Sequence, residues 1–189
     1  ETAHAPFHGT DAALEELLKK NIAAGRLLFT TDYSEAIPDS TIIFIAVGTP
    51  PGKNGNADLT TVFDVAAKIA PLLKNGYTVV SCKSTVPVGT NKKVLDILLK
   101  NKPESADVAV ASCPEFLREG TALFDTANPD RVVIGSHSEK AVQTLLELHK
   151  PLGGERVITD LASAELIKYA ANSMLATKIS FANLISFYC

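Results

Sequence analysis

The chain has 189 residues, 46% of them apolar and 21% charged, and carries a net charge of −3 at neutral pH. That is room for one domain and part of a second, with apolar residues enough for a core and no basic block to attract nucleic acid. No apolar run reaches the length of a membrane span, and the four His and three Cys lack zinc-site or disulfide-scaffold spacing, which fits a reducing, cytoplasmic setting.

The opening "ETAHAPFHGT" holds neither an initiator Met nor a signal peptide, so the chain reads as part of something longer. Asp11 predicts the cap of a helix over 11–24, with Gly25 as its stop. "RLLFT" (26–30) reads as a strand, and a short helix follows at 34–36. "TIIFIAV" (41–47) is a continuous apolar run, the pattern of a strand buried on both faces. The Gly- and Pro-rich loop 48–58 ends at Asp58, which can cap a helix over 59–74.

"YTVVSC" (77–82) predicts a second buried strand that ends in "KSTVPVGT". A helix over 91–100 and the strand "DVAVAS" (107–112) follow. Then come "RVVIGS" (131–136), a helix over 139–150 and the short strand "RVIT" (156–159). From residue 162 a helix runs to the end with no interior Gly or Pro, roughly 40 Å long at about 1.5 Å per residue.

This alternation predicts an α/β fold with a parallel sheet and right-handed crossovers, whose ligands gather at the carboxyl ends of strands. Each unusual loop follows a strand: "GTPPG", "KSTVPVGT" and "CPEFLREG". The last places Glu115 and Glu119 four residues apart, and two close carboxylates repel unless something sits opposite. On the final helix Lys168 and Asn172 are also four apart and share a face, beside the small residues Ala164, Ala171 and Ala176.

Five phrases occur in order: "FIAVGTPPGKNGNADLTTV", "SCKSTVPVGT", "CPEFLREGTALFD", "NPDRVVIG" and "AELIKYAANSMLATKISF". Together they make the chain similar to the UDP-glucose/GDP-mannose dehydrogenase family over roughly residues 15–183. The resemblance implies oxidation of a nucleotide sugar's C6 alcohol to a carboxylate in two NAD-dependent steps, without release of the aldehyde. It implies that 1–160 is the C-terminal portion of a Rossmann-type NAD-binding domain with a partial parallel sheet. Residues 161–189 would begin an all-α central domain, whose long helix pairs subunits into a homo-oligomer.

By the same resemblance Val47, Gly48, Thr49, Pro50 and Pro51 pass beside the adenosine part of NAD, where Gly and Pro permit close backbone approach. Ser84, Thr85 and Val86 also touch the cofactor, and the Thr85 hydroxyl helps hold a water at the reacting carbon. Glu115, Phe116, Leu117, Arg118 and Glu119 line the meeting place of sugar and nicotinamide. Glu115 is the acid/base group, and Glu119 lies near both sugar and NAD. Lys168 and Asn172 reach into the same pocket. The implied catalytic set is Thr85, Glu115, Glu119, Lys168 and Asn172, with no metal.

The chemistry asks for these residue types. Hydride loss from an alcohol requires a base for the hydroxyl proton. The later hydrolysis of a thioester requires a water that hydroxyls can aim. A fixed cation such as Lys168 stabilises the oxygen that becomes negative, and facing Glu115 and Glu119 it makes their crowding tolerable. Arg118 also reads as a local counter-charge for its loop, Arg131 as structural, and Cys82 and Cys113 as small buried hydrophobes.

Parts of the family pattern have no counterpart. No G-x-G-x-x-G turn occurs (Gly48, Gly52 and Gly55 have the wrong spacing), and "GTDAAL" (9–14) stands where the family has "EPGL". The family's nucleophilic Cys lies in a Gly-rich motif downstream of the long helix, with its catalytic Asp beyond; Cys189 in "SFYC" does not match it. The covalent second oxidation needs that thiolate, so the expectation is a fragment without turnover of its own.

The alternatives are a dehydrogenase of GDP-mannose or UDP-N-acetylmannosamine and a 3-hydroxyacid or 6-phosphogluconate type of dehydrogenase. A third is a non-catalytic pairing module built on Leu166, Tyr169, Ala170, Leu175, Ile179 and Leu184. "NPDRVVIG" and the final helix lean toward UDP-glucose.

Overall fold

The computed structural model describes residues 11–118 and 120–188; Glu119, Cys189 and the first part of "GTDAAL" lie outside the described residues. In chain order the elements are α1 (Asp11–Ala23), α2 (Tyr33–Ala36), β1 (Ile42–Ile45), α3 (Thr60–Ile69), β2 (Gly76–Cys82), α4 (Thr90–Asn101) and β3 (Ala106–Ser112). They continue with α5 (Ala122–Ala127), β4 (Arg131–Ser136), α6 (Glu139–His149), β5 (Glu155–Thr159) and α7 (Leu161–Ser186).

The five strands form one sheet in the order β1-β2-β3-β4-β5. Most of β2 and β3 is buried on both faces, which is why both sequences read as apolar runs. On one face Val62, Ala66 and Ile69 of α3 and Val94 and Leu98 of α4 pack against Ile43, Ile45, Val80 and Val110. On the other, Ala141, Val142 and Leu145 of α6 cover Val79, Ala109, Ala111, Val132 and Ile134.

"TIIFIAV" (41–47) is not buried on both faces: only Ile42–Ile45 forms β1, the end strand of this sheet, and Phe44 is exposed. Three further sequence expectations are corrected. "RLLFT" (26–30) is not a strand: no described strand lies beside it to complete a ladder, and Leu28 and Phe29 are exposed. The helix expected over 59–74 ends at Ile69 and passes into a tighter turn over Ala70–Leu72, because Pro71 has no N–H to continue it.

The last correction bears on the site. β1, β2 and β3 are parallel, as are β4 and β5, but β3 and β4 run antiparallel. The segment 113–130 contains only the six-residue α5, too little helix to carry the chain back along the sheet for a parallel return. β4 meets β3 only through Ala111↔Ser136 and Ser112↔Gly135. The β4–β5 pair therefore projects past the carboxyl ends of β1–β3, and its own carboxyl end returns to that rim.

The long helix α7 starts at this return. Asp160 caps it, accepting from the Ser163 N–H at 2.8 Å. Gly135 lets it approach the sheet: a Cβ there would stand 2.5 Å from the Ala164 Cβ and 2.5 Å from the Asp160 carbonyl oxygen. Leu161, Ala164, Glu165 and Lys168 are buried, whereas from Asn172 onward the helix is exposed, apolar residues included. Among the described residues no helix is long and apolar enough to cross a membrane.

Candidate functional site

Two loops leave the carboxyl ends of β1 and β2 side by side. The amides of Lys83 and Ser84 donate to the Ile45 carbonyl at 2.8 and 3.2 Å, extending the β1–β2 ladder into the loops. The Ser84 hydroxyl donates to the Val47 carbonyl at 2.6 Å, and the Thr49 hydroxyl to the Thr85 carbonyl at 2.9 Å. Val47–Pro51 and Ser84–Val86, expected from separate phrases to serve one cofactor, are thus stitched into one surface. Val86 is buried and anchors it, while Thr85 remains half-buried at the rim. Gly48 is exposed with open space where a Cβ would be, so a flat ligand can approach the backbone there.

The third loop follows β3. The Cys113 amide donates to the Cys82 carbonyl at 3.0 Å, one step past the ladder, and Pro114 then turns the chain out. Glu115 is placed opposite α7, where its Oε1 meets the Lys168 ammonium at 3.1 Å. Lys168 is nearly enclosed, with 6% of its side chain exposed, against 30% for Glu115. Among the described residues the Glu115 Oε2 is buried and has no hydrogen-bond partner. Among the described residues one oxygen is held by Lys168 and the other keeps its capacity to accept.

Phe116 supports the pair: the Lys168 Nζ lies 5.3 Å from its ring centroid and the Arg131 guanidinium 4.5 Å. Beside Glu115 opens a cavity of about 220 Å³, bounded by Phe116, Leu117, Phe124 and Arg131. Asn172 lies one turn beyond Lys168 on an exposed part of α7.

Arg118 folds back on its own loop. Its Nε and Nη2 donate to the two oxygens of Asp125 at 3.1 and 2.8 Å, and its amide donates to Asp125 Oδ2 at 2.8 Å. These bonds hold the Asp125 carboxyl far below the ordinary carboxylate range and raise Arg118. Arg118 is thus a local counter-charge, but to Asp125, on a helix the sequence reading did not foresee.

Sequence reasoning puts Glu165 one turn before Lys168 on nearly the same side but gives it no role. It is 2% exposed and accepts three hydrogen bonds from Gly89 and Asn91 at the start of α4. The signal was present: Glu165 is three residues before Lys168 on the same helix face, and Gly89 can offer no side chain to cap α4. Cys82 and Cys113 are buried free thiols. Burial pushes Cys82 up to about 12 and raises Cys113 as well, the latter partly offset by Lys83.

The family model described as "UDP-glucose/GDP-mannose dehydrogenase family, NAD binding domain" matches residues 4–153, and that family's "central domain" matches residues 162–189. The UDP-glucose 6-dehydrogenase YwqF of Bacillus subtilis is 50% identical over 179 residues, covering 95% of this chain and 40% of that protein. The solved UDP-glucose dehydrogenase of the hyperthermophilic archaeon Pyrobaculum islandicum superposes with a TM-score of 0.86 at 40% identity, over 92% of this chain and 40% of that one. A GDP-mannose dehydrogenase of Pseudomonas aeruginosa gives a TM-score of 0.88 at 34% identity, over 96% of this chain and 42% of that one. The chain spans about 40% of the length of such relatives.

Proposed function

The chain belongs to the UDP-glucose/GDP-mannose dehydrogenase family, and from that premise we propose that it is the site-bearing part of a UDP-glucose 6-dehydrogenase. The reaction is the NAD-dependent oxidation of UDP-glucose to UDP-glucuronate, which supplies nucleotide-sugar and polysaccharide synthesis. In this reading 1–160 belongs to the NAD-binding domain and 161–189 opens the central helical domain. The setting is the cytoplasm, and a second copy pairs along α7, where Met174, Leu175, Ile179, Phe181 and Leu184 are exposed.

The observation that carries the reading is the Lys168–Glu115 pair at the carboxyl rim of the sheet, its Glu115 Oε2 without a hydrogen-bond partner among the described residues. In this reading the Glu115 carboxylate takes the hydroxyl proton, or holds a water that attacks a carbonyl carbon. In the same reading the Lys168 ammonium stabilises negative charge on the substrate oxygen. Thr85, on the neighbouring rim loop, aims the water; Glu119 and Asn172 complete the catalytic set.

The stitched surface of Val47, Gly48, Thr49, Pro50, Pro51, Ser84, Thr85 and Val86 would hold NAD, with Glu119 near its reactive end. Open space over Gly48 supports that fit. When bound, NAD accepts the hydride from the sugar's C6. Phe116, Leu117 and Arg118 border the sugar-nucleotide beside Glu115.

The test is NADH formation by a full-length protein carrying this segment, with UDP-glucose, GDP-mannose and UDP-N-acetylmannosamine in parallel. Two NADH per UDP-glucose and little with the other sugars are expected. Preference for another sugar, or no NADH with any, overturns the reading.

A further inference from the structure

We propose that Glu165 is a positioning residue for this reaction: from α7 it fixes the start of α4, and so sets the Thr85 loop against the Lys168–Glu115 pair. The inference rests on the dehydrogenase reading above.

α4 begins without a cap of its own. Gly89, in the left-handed region at φ +91°, precedes it and has no side chain to satisfy the first amides. Glu165, far along the chain, does so instead. The Gly89 amide donates to its Oε2 at 2.6 Å, and the Asn91 amide and Nδ2 donate to its Oε1 at 2.7 and 2.8 Å. Asn91 is fully buried and Glu165 nearly so. The helix N-terminus and these donors compensate the buried carboxylate.

A local Ser or Asp would cap a helix equally well. What the distant carboxylate adds is a link between elements. Three residues later on the same helix face, Lys168 grips Glu115 at 3.1 Å. One turn of α7 therefore holds the loop after β2 through Glu165 and the loop after β3 through Lys168. At its other end the β2 loop is tied by the Thr49 hydroxyl to the Thr85 carbonyl at 2.9 Å. Thr85 is itself held at one anchor by Thr49, and four residues on, the same loop ends at Gly89 on Glu165, so the length of the Glu165 side chain sets how α7 holds the loop that carries Thr85. The close seating of α7 at Gly135 keeps the helix from shifting to compensate.

The test is Glu165→Asp in the full-length dehydrogenase. The charge and both acceptor oxygens remain, but the strut is shorter by one carbon–carbon bond, about 1.5 Å. A displacement of that size at a reacting centre costs on the order of 10²-fold in rate. We expect kcat to fall about 10- to 100-fold, KM for the sugar to change by less than about threefold, and melting to stay near the parent's. Amide exchange at Gly89 and Asn91 should remain slow. If Glu165→Asp does not fold, Glu165→Gln takes its place: it keeps the length but sets an amide N–H against one donor, and the same kcat–KM split is expected. A folded variant with unchanged kcat, or a loss confined to melting temperature, overturns the positioning role and leaves the dehydrogenase reading intact. A parent enzyme that reduces no NAD with any nucleotide sugar overturns both.

Discussion

Removing the charges of Lys168 and Glu115, singly and together, tests the joint on which the site is built. At 3.1 Å the bare attraction is about 5 kcal/mol with an effective dielectric near 20, and desolvation of a nearly enclosed ammonium offsets much of it. Glu115→Gln removes the anion at 3.1 Å and leaves that ammonium a neutral amide oxygen and the Phe116 ring at 5.3 Å, and is expected to cost about 2–4 kcal/mol. Lys168→Met leaves a carboxylate that water can partly reach, since Glu115 is 30% exposed, and should cost less, about 1–3 kcal/mol. The double variant should destabilise by less than the two single losses together, with a coupling of about 1.5–3 kcal/mol. Urea denaturation of the chain followed by circular dichroism gives all four corners of the cycle. A coupling below about 0.5 kcal/mol, the value of an exposed surface pair, would refute the buried joint and the mechanism drawn from it.

Gly135→Ala should unseat α7, because the added methyl meets Ala164 and the Asp160 carbonyl at 2.5 Å. A loss of about 1–3 kcal/mol, or roughly 3–10 °C in melting temperature, is expected, against almost none for Gly48→Ala, which faces open space; equal effects would refute the close seating. Cys82 and Cys113 should resist iodoacetamide at pH 7.5 in the folded chain and react in urea, since burial keeps both thiols protonated. Peptide mapping of the label checks this, and rapid labelling of either in the folded chain would contradict it.

Much of this architecture is legible along the chain because its causes are local. Apolar runs mark β2 and β3, a stretch without Gly or Pro marks α7, and Gly- and Pro-rich phrases mark the rim loops. The family phrases likewise name Glu115 and Lys168 without any coordinates. "RLLFT" misleads for a physical reason: strand propensity is realised only when a neighbour completes the ladder, and no described strand lies beside it.

What local pattern cannot hold is any relation between distant residues. The antiparallel meeting of β3 and β4 depends on how far 113–130 travels, and it decides where α7 begins. The capping of α4 by Glu165 depends on a helix packed from the far end of the chain, and the pairing of Arg118 with Asp125 on a short helix no cap announces. Residue types and their chemistry belong to the sequence; that Lys168 faces Glu115 and Glu165 faces the start of α4 was decided by the packing of α7 on the sheet at Gly135, because only packing brings distant parts of a chain within reach of a hydrogen bond.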